Sequence, residues 1–288
     1  MCLGQLHHEI YIYVRPSVRL RHCAPARPLP AGAGSALPGR RSADCGRRRR
    51  TRRGRRAPSA RKRGSKGARH REEHRRPTAG VGLVIGVLNV QSIKPKLLEL
   101  ADQLNHGKYD LMCLTETWLK PSTPNRLLVL PGYQLYRADR PDNRGYGGVA
   151  LAARDGISAA PIKMPTAAQP GSRLESLWTL VKPDRRRQFV VCSVYRPPRR
   201  NIADLRADFA DLEAQYQYVA VHYPRCKVFI GGDLNCCWLK PDTDPAKRVL
   251  CGFTSDLSLT QCVTSPTYFS GSSLDVVCKA IAAWLNPI

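Results

Sequence analysis

The chain has 288 residues, with 47 Lys and Arg against 22 Asp and Glu and a formal net charge of +25. That is enough for one large domain or two small ones, and the charge favours polyanionic partners, because neutralised phosphates release counterions. No stretch approaches the roughly 20 apolar residues needed to span a bilayer, and the first twenty residues lack a signal peptide's basic and apolar regions, so membrane and exported classes are set aside.

The charge is unevenly placed. Residues 1–80 hold 22 of the Lys and Arg but four of the Asp and Glu. Runs such as RRRRTRRGRR (Arg47–Arg56) sit among Pro, Ala, Gly and Ser, with few apolar side chains at helix or strand spacing. Such a segment cannot bury enough surface to offset its ordering entropy, and it is expected to be disordered. Two readings of it stand side by side: a nuclear-localisation or nucleic-acid tail, or a low-complexity leader without a role. The eleven cysteines show no CxxC pair, so reduced thiols of an intracellular protein are expected.

Order is expected from Val81. Residues 81–90 (VGLVIGVLNV) form a β-branched run suited to a strand buried on both faces. A helix follows over 92–107, with Leu97, Leu100, Ala101 and Leu104 on one face and Gly107 as its stop. Further strands are expected at 110–115, 147–152, 175–181 and 188–195, the last two joined by a tight turn. A long amphipathic helix fits Ile202–His222, then a strand over 227–230, a helix over 246–256 and a last strand at 273–278. Interleaved strands and helices with some hairpins imply an α/β layered fold with mixed sheets, occupying 81–288 as one domain behind the basic tail of 1–80.

Polar residues stand at the ends of several of these strands. In KVFIGGDLNCC, an apolar strand runs into Gly231-Gly232 and then Asp233-Leu234-Asn235. A side-chain period of two puts Asp233 and Asn235 on one side and Leu234 on the other. A carboxylate there can take a proton from water, and an amide can orient that water or a phosphate oxygen. Asp-x-Asn after two glycines is also ordinary turn chemistry. Glu116 follows the strand of DLMCLTETWL, Asn89 interrupts the apolar LNVQS strand, and Tyr195 and Arg196 end SVYRPP. Taken singly, these read as a solvated glutamate, a buried hydrogen-bond hub, an aromatic cap and a surface arginine. Together, and with no suitable histidine or thiolate dyad, they suit phosphoester chemistry with a hard cation, which prefers oxygen ligands.

The ordered set LNVQS, LTETWL, GYGGVA, VYRPP, GGDLN and SSLDVV, spanning about residues 83–279, resembles the endonuclease/exonuclease/phosphatase superfamily. The TETWL, YRPP and LDVV forms look like the apurinic-type endonuclease domain of non-LTR (LINE-like) retrotransposons. The resemblance implies a four-layer α/β sandwich, two mixed β-sheets flanked by helices, and a Mg2+-dependent (or Mn2+-dependent) DNA endonuclease. Its reaction would be nicking of one strand to leave a 3′-hydroxyl primer. It implies Glu116 as principal metal ligand with Asn89 beside it, Tyr195 and Asn235 on the phosphate, and Asp233 on the attacking water. Asp275 would support a catalytic histidine, and Gly147 and Gly148 would allow close packing beside the site. Arg137, Arg140 and Arg196 are the residues expected to meet DNA; Arg144 reads as well as a solvated loop residue.

Two positions depart from the pattern. Gln91 stands where apurinic-site enzymes carry a second acid. The family's terminal Ser-Asp-His has no counterpart, since His106 and His222 are the histidines after residue 80 and neither follows Asp. The last strand and its Asp-His pair are therefore expected to be missing, and activity to be weak. The alternatives are a catalytically dead nucleic-acid-binding remnant and a phosphatase of the same superfamily. DNA is the expected partner, with no membrane and no obligate protein partner. A nuclear location follows from the substrate and the basic tail.

Overall fold

The computed structural model describes residues 83–142, 145–165, 170–198, 201–263, 266 and 273–280, together with the backbone of 11–14. Among these residues, eleven strands form two mixed sheets. The first has the order β1-β2-β3-β5-β4, from Tyr11–Val14, Val84–Asn89, Leu111–Thr115, Val149–Arg154 and Tyr133–Ala138 respectively. The second has the order β10-β11-β9-β8-β7-β6, from Leu259–Gln261, Asp275–Ala280, Lys227–Asp233, Phe189–Tyr195, Glu175–Lys182 and Ser158–Pro161. β2 runs parallel to β3 and β8 parallel to β9, while the hairpins β4–β5, β6–β7 and β7–β8 are antiparallel.

Side-chain alternation makes this a four-layer sandwich. Odd-numbered residues of the central strands (Ile85, Val87, Leu111, Cys113, Val149, Leu151, Leu177, Val191, Phe229, Val277) form the core between the sheets. Their even-numbered neighbours face outward. In the first sheet Leu88, Met112, Leu114, Ala150 and Ala152 pack under α1 (Leu97–His106) through Leu100, Ala101 and Leu104. In the second, Val190, Cys192, Val194, Val228, Ile230 and Val276 pack under α2 (Ile202–His222) and α3 (Pro245–Asp256) through Leu205, Phe209, Leu212, Leu250 and Phe253. Asn201 caps α2 and Asp244 caps α3 by accepting first-turn backbone N–H bonds. The expected sandwich is thus what forms, with α2 starting and ending where the apolar spacing places it.

Some elements differ from the sequence expectation. The first helix begins later, at Leu97, behind a 3-10 turn over Lys94–Lys96. Tyr133–Ala138 form β4, where no strand is expected from sequence, and β6 and β10 have too few apolar residues to stand out. Within the segment expected to be disordered, Tyr11–Val14 form β1, parallel to β2 in the register Tyr11↔Val84. That corrects the expectation for those four residues, whose YIYV run supplies the β-branched and aromatic pattern of a strand. The rest of 1–80, Arg144 and 281–288 lie outside the described residues. No helix among the described residues is long and apolar enough to cross a membrane, and their eight cysteines are free thiols.

Candidate active site

The site is the polar end of the core between the sheets. Following the inward alternation of each strand by one more step gives Asn89 on β2, Glu175 on β7, Tyr195 on β8, Asp233 on β9 and Asp275 on β11. In the second sheet the pairs Glu175↔Tyr195, Tyr195↔Asp233 and Asp233↔Asp275 are register partners, so these four residues form one row across adjacent strands. Asn89 ends the facing row of the first sheet, opposite Thr115, and Glu116 follows immediately. Two residues before Asp233, Gly231 keeps the sheets close: a Cβ there would lie 3.0 Å from Val87 Cγ2 and 3.3 Å from Cys113 Sγ.

The Asn89 amide ties the two sheets together. Asn89 Nδ2 donates to Glu116 Oε1 at 2.8 Å and to Asp233 Oδ2 at 3.1 Å. Trp118 Nε1 donates to Glu116 Oε2 at 3.3 Å, and the Asn235 backbone N–H donates to Asp233 Oδ1 at 2.9 Å. Five residues here have positive φ without being glycine: Gln91 (φ 41°), Ser92 (φ 78°), Glu116 (φ 53°), Trp118 (φ 53°) and Asn235 (φ 49°). Such conformations cost about 1–3 kcal/mol each and persist where surrounding bonds dictate them. At Gln91 the bonds come from Lys96, whose buried ammonium donates to the Val90 and Gln91 carbonyls at 2.6 and 2.8 Å.

Burial governs the electrostatics. It pushes the Asp233 carboxyl up to about 6, aided by the Glu116 charge and opposed by the bonds from Asn235 and Asn89. Tyr195 stays protonated, its phenol raised by burial and by the carboxylates of Glu116, Asp233 and Glu175. Asp275 is buried beside Asp233 across the β9–β11 ladder.

Glu175 is a site residue that motif reading passed over, although it occupies an inward position two before Leu177. Its Oε2 accepts from the Gly148 backbone N–H, and its Oε1 lies 3.4 Å from Arg140 Nε. Gly147 and Gly148 have φ of 72° and 84°, and a Cβ on Gly147 would meet Glu175 Oε1 at 2.5 Å. The glycine pair thus does allow close packing here, around this carboxylate. Burial raises Glu175 to about 7. A carboxyl raised on folding binds its proton more tightly in the native state, so its contribution to stability is largest at low pH and declines as pH climbs from about 5 to about 7. Glu175→Gln, which keeps the acceptor for Gly148, should gain stability relative to wild type across that window, by about 1.4 kcal/mol per pKa unit at most. Urea midpoints at pH 5 and pH 8 would show it; a constant difference would exclude the effect.

The arginines fall into two groups. Arg196 is 2% exposed and donates to the carbonyls of Leu234 (2.6 Å) and Asn235 (3.0 Å). This corrects the expectation of a DNA contact, because its guanidinium is committed inside the protein. Arg137 donates to Thr123 O at 2.7 Å and pairs with Asp139, and Arg140 pairs with Asp142 and Glu175; both remain partly exposed. His106 and His222 are exposed at the C-terminal ends of α1 and α2, bonded to Asp102 O and Tyr218 O, and neither belongs to the cluster.

The donor set is all oxygen: two carboxylates from opposite sheets and a carboxamide. That suits a hard divalent cation, which takes few protein ligands and keeps several waters. Among the described residues no three His, Cys, Asp or Glu side chains converge as a ready-made cage.

A four-layer sandwich with an acidic, amide-bridged cluster where its sheets meet defines a recognisable class of α/β protein. The chain belongs to the Endonuclease/Exonuclease/phosphatase family, which residues 86–275 match. The fold is similar to that of the AP endonuclease LMAP from Leishmania major, at 14% identity over 68% of this chain and 78% of that one, with a TM-score of 0.54. It is also similar to the mannosyl-6-phosphatase Bt3783 of Bacteroides thetaiotaomicron, at 13% identity over 70% and 86% of the two chains, TM-score 0.52. The endonuclease domain of TRAS1, a telomere-specific non-LTR retrotransposon, aligns at 17% identity over 67% and 82%, TM-score 0.48. Sequence comparison with curated proteins gives no match.

Proposed function

We propose that this domain is a magnesium-dependent endonuclease that nicks one strand of duplex DNA in the manner of retrotransposon endonucleases. The observation that carries the reading is the Asn89 amide clasping Glu116 and Asp233 from opposite sheets. Glu116, with Asn89, would hold the cation, which would supply charge neutralisation at the scissile phosphate. Asp233, pinned by the Asn235 N–H, would orient and deprotonate the attacking water. Tyr195, which keeps its proton, donates to a phosphate oxygen, and Asn235 steadies that phosphate. The TETWL and YRPP forms favour DNA over a phosphomonoester. Partly exposed Arg137 and Arg140 are the cations offered to the backbone, and a nuclear location follows from that substrate.

The test is conversion of supercoiled plasmid to open circle by the full chain in Mg2+, with EDTA and Glu116→Ala as controls. Nicking should require the metal and vanish in the variant. Independently, Mg2+ at about a hundred times its Kd should stabilise the wild type by about 2.7 kcal/mol and leave Glu116→Ala unmoved in thermal melts. Metal-independent nicking, or equal stabilisation of both proteins, would refute the assignment. Hydrolysis of p-nitrophenyl phosphate without nicking would favour the phosphatase reading.

A second reading, nucleic-acid binding without turnover, rests on the placement of His106 and His222 at exposed helix ends, bonded within their own helices. Its mark is salt-sensitive DNA binding that survives Glu116→Ala while no plasmid is cut.

A further inference from the structure

We infer that Arg196 and Asp208 form a buried ionic strut that positions Asp233 and Asn235, an inference that rests on the nuclease reading above. The DLN segment leaves β9 in a left-handed turn at Asn235, which a β-sheet does not impose. Arg196 clamps that turn from beneath. Its Nε and Nη2 donate to the Leu234 and Asn235 carbonyls, and its Nη1 to the Pro197 carbonyl at 3.3 Å. In return its own carbonyl accepts from Asn235 Nδ2 at 2.8 Å, and its N–H donates to Asp233 O at 3.0 Å. The Asn235 side-chain N–H and backbone carbonyl are therefore both held by the one residue that follows β8.

The guanidinium is itself held from behind. Asp208 Oδ2 lies 3.7 Å from Arg196 Nη1, and Asp208 is fully buried on the face of α2 that packs on the sheet. Its Oδ1 accepts from the Arg173 backbone N–H at 2.8 Å, and three residues further along α2 Asp211 accepts from Ser172 Oγ at 2.8 Å. The outer helix, the 172–173 loop and the site turn are thus linked by one buried charge pair. Hiding an arginine and a carboxylate together is costly unless their bonds are satisfied, and an apolar pair would serve packing as well or better. What the ions add is direction. A planar fork reaching two carbonyls and a carboxylate at once is a task for arginine, and a lysine ammonium of the same charge cannot span it.

Arg196 is accordingly a positioning residue, acting through Asp233 and Asn235. The test uses the full chain with Arg196→Lys and Asp208→Asn, the latter keeping the acceptor for Arg173. Three measurements are made: urea unfolding, amide hydrogen exchange, and kcat and KM for plasmid nicking. In Arg196→Lys the Asn235 amide should exchange at least tenfold faster while Val191 and Phe229, in the ladders of β8 and β9, exchange as in wild type. The kcat should fall at least tenfold with KM within about twofold, and Asp208→Asn should follow in the same direction with smaller changes. Should Arg196→Lys fail to fold, Asp208→Asn decides by the same criteria. Unchanged Asn235 exchange and kcat in a folded variant overturns the inference, as does uniform acceleration at all amides, which marks a general packing role. A wild type that does not nick, combined with selective Asn235 release, sinks the nuclease reading and leaves the strut standing.

Discussion

Asp233→Asn is expected to lower magnesium-dependent nicking by about a hundredfold to ten-thousandfold, the range for loss of a positioned general base, without unfolding the protein. The substitution is close to isosteric. Its Oδ1 still accepts from the Asn235 N–H, while the new Nδ2 faces the Asn89 Nδ2 donor and forfeits that bond, and the position stays buried against Tyr195 and Asp275. What disappears is the negative charge that water must lose its proton to. For stability, removal of the charge is by itself favourable. Asp233 is 6% exposed and shares its surroundings with the Glu116 carboxylate, which together with burial raises it to about 6. The native state therefore binds this proton more tightly than the unfolded chain, so stability is highest below about pH 4 and falls as pH rises towards 6. A neutral side chain avoids that loss. At pH 7.5 in EDTA, relief of the charge and loss of the Asn89 bond oppose each other, so the variant should unfold at a urea concentration close to that of wild type, while initial rates in Mg2+ collapse. Equal rates for the two proteins would remove Asp233 from the mechanism.

The largest expected effect on folding is at Gly232. Gly232→Ala should destabilise the domain by at least about 3 kcal/mol, beyond the usual cost of an overpacked site. Gly232 sits in β9 opposite Val194 on one side and Val276 on the other. A Cβ there would overlap the Val194 carbonyl oxygen and lie 2.7 Å from Val194 C and 2.9 Å from its N. Those are backbone atoms of a central strand, so no rotamer change relieves the contact. The β8–β9 ladder would have to part immediately before the Tyr195–Asp233 pair, and total domain stabilities are about 5–15 kcal/mol. Gly252→Ala is the matched control. Gly252 lies inside α3 with nothing within 4 Å of its would-be Cβ, and alanine there should stabilise by about 0.5–1 kcal/mol through helix propensity. Urea midpoints moving in opposite directions would confirm both. Wild-type stability in Gly232→Ala would show that β8 can give way.

These effects concern a site only partly legible in one dimension. The layers are readable because β2, β3, β5 and β8 are short, nearly continuous apolar runs, suited to strands buried on both faces, and because α2 carries its apolar residues at helical spacing. Asn89, Glu116, Tyr195, Asp233 and Asn235 stand out because each interrupts or ends an apolar run. Glu175 is illegible for the opposite reason: it opens its strand, where a charged residue is ordinary, and only the register Glu175↔Tyr195↔Asp233 brings it into the row. The short strands β6 and β10 owe their existence to neighbours rather than to their own pattern.

Arg196 marks the boundary between what sequence and structure each decide. From sequence alone, an arginine after a strand and before two prolines is a surface cation, since charged side chains are rarely fully buried. In the fold it is enclosed, because α2 returns across the sheet and delivers Asp208 to within 3.7 Å of it. The sequence by itself determined the layered α/β class and the residues ending the central strands, through local periodicity, and the sandwich and its family, through the resemblance carried by its ordered motifs. Which of those ends meet, which carboxylates share a proton's neighbourhood and which arginine faces inward were decided by tertiary structure. Those properties belong to pairs of residues up to 144 positions apart, as Asn89 and Asp233 are, and no local pattern encodes such a distance.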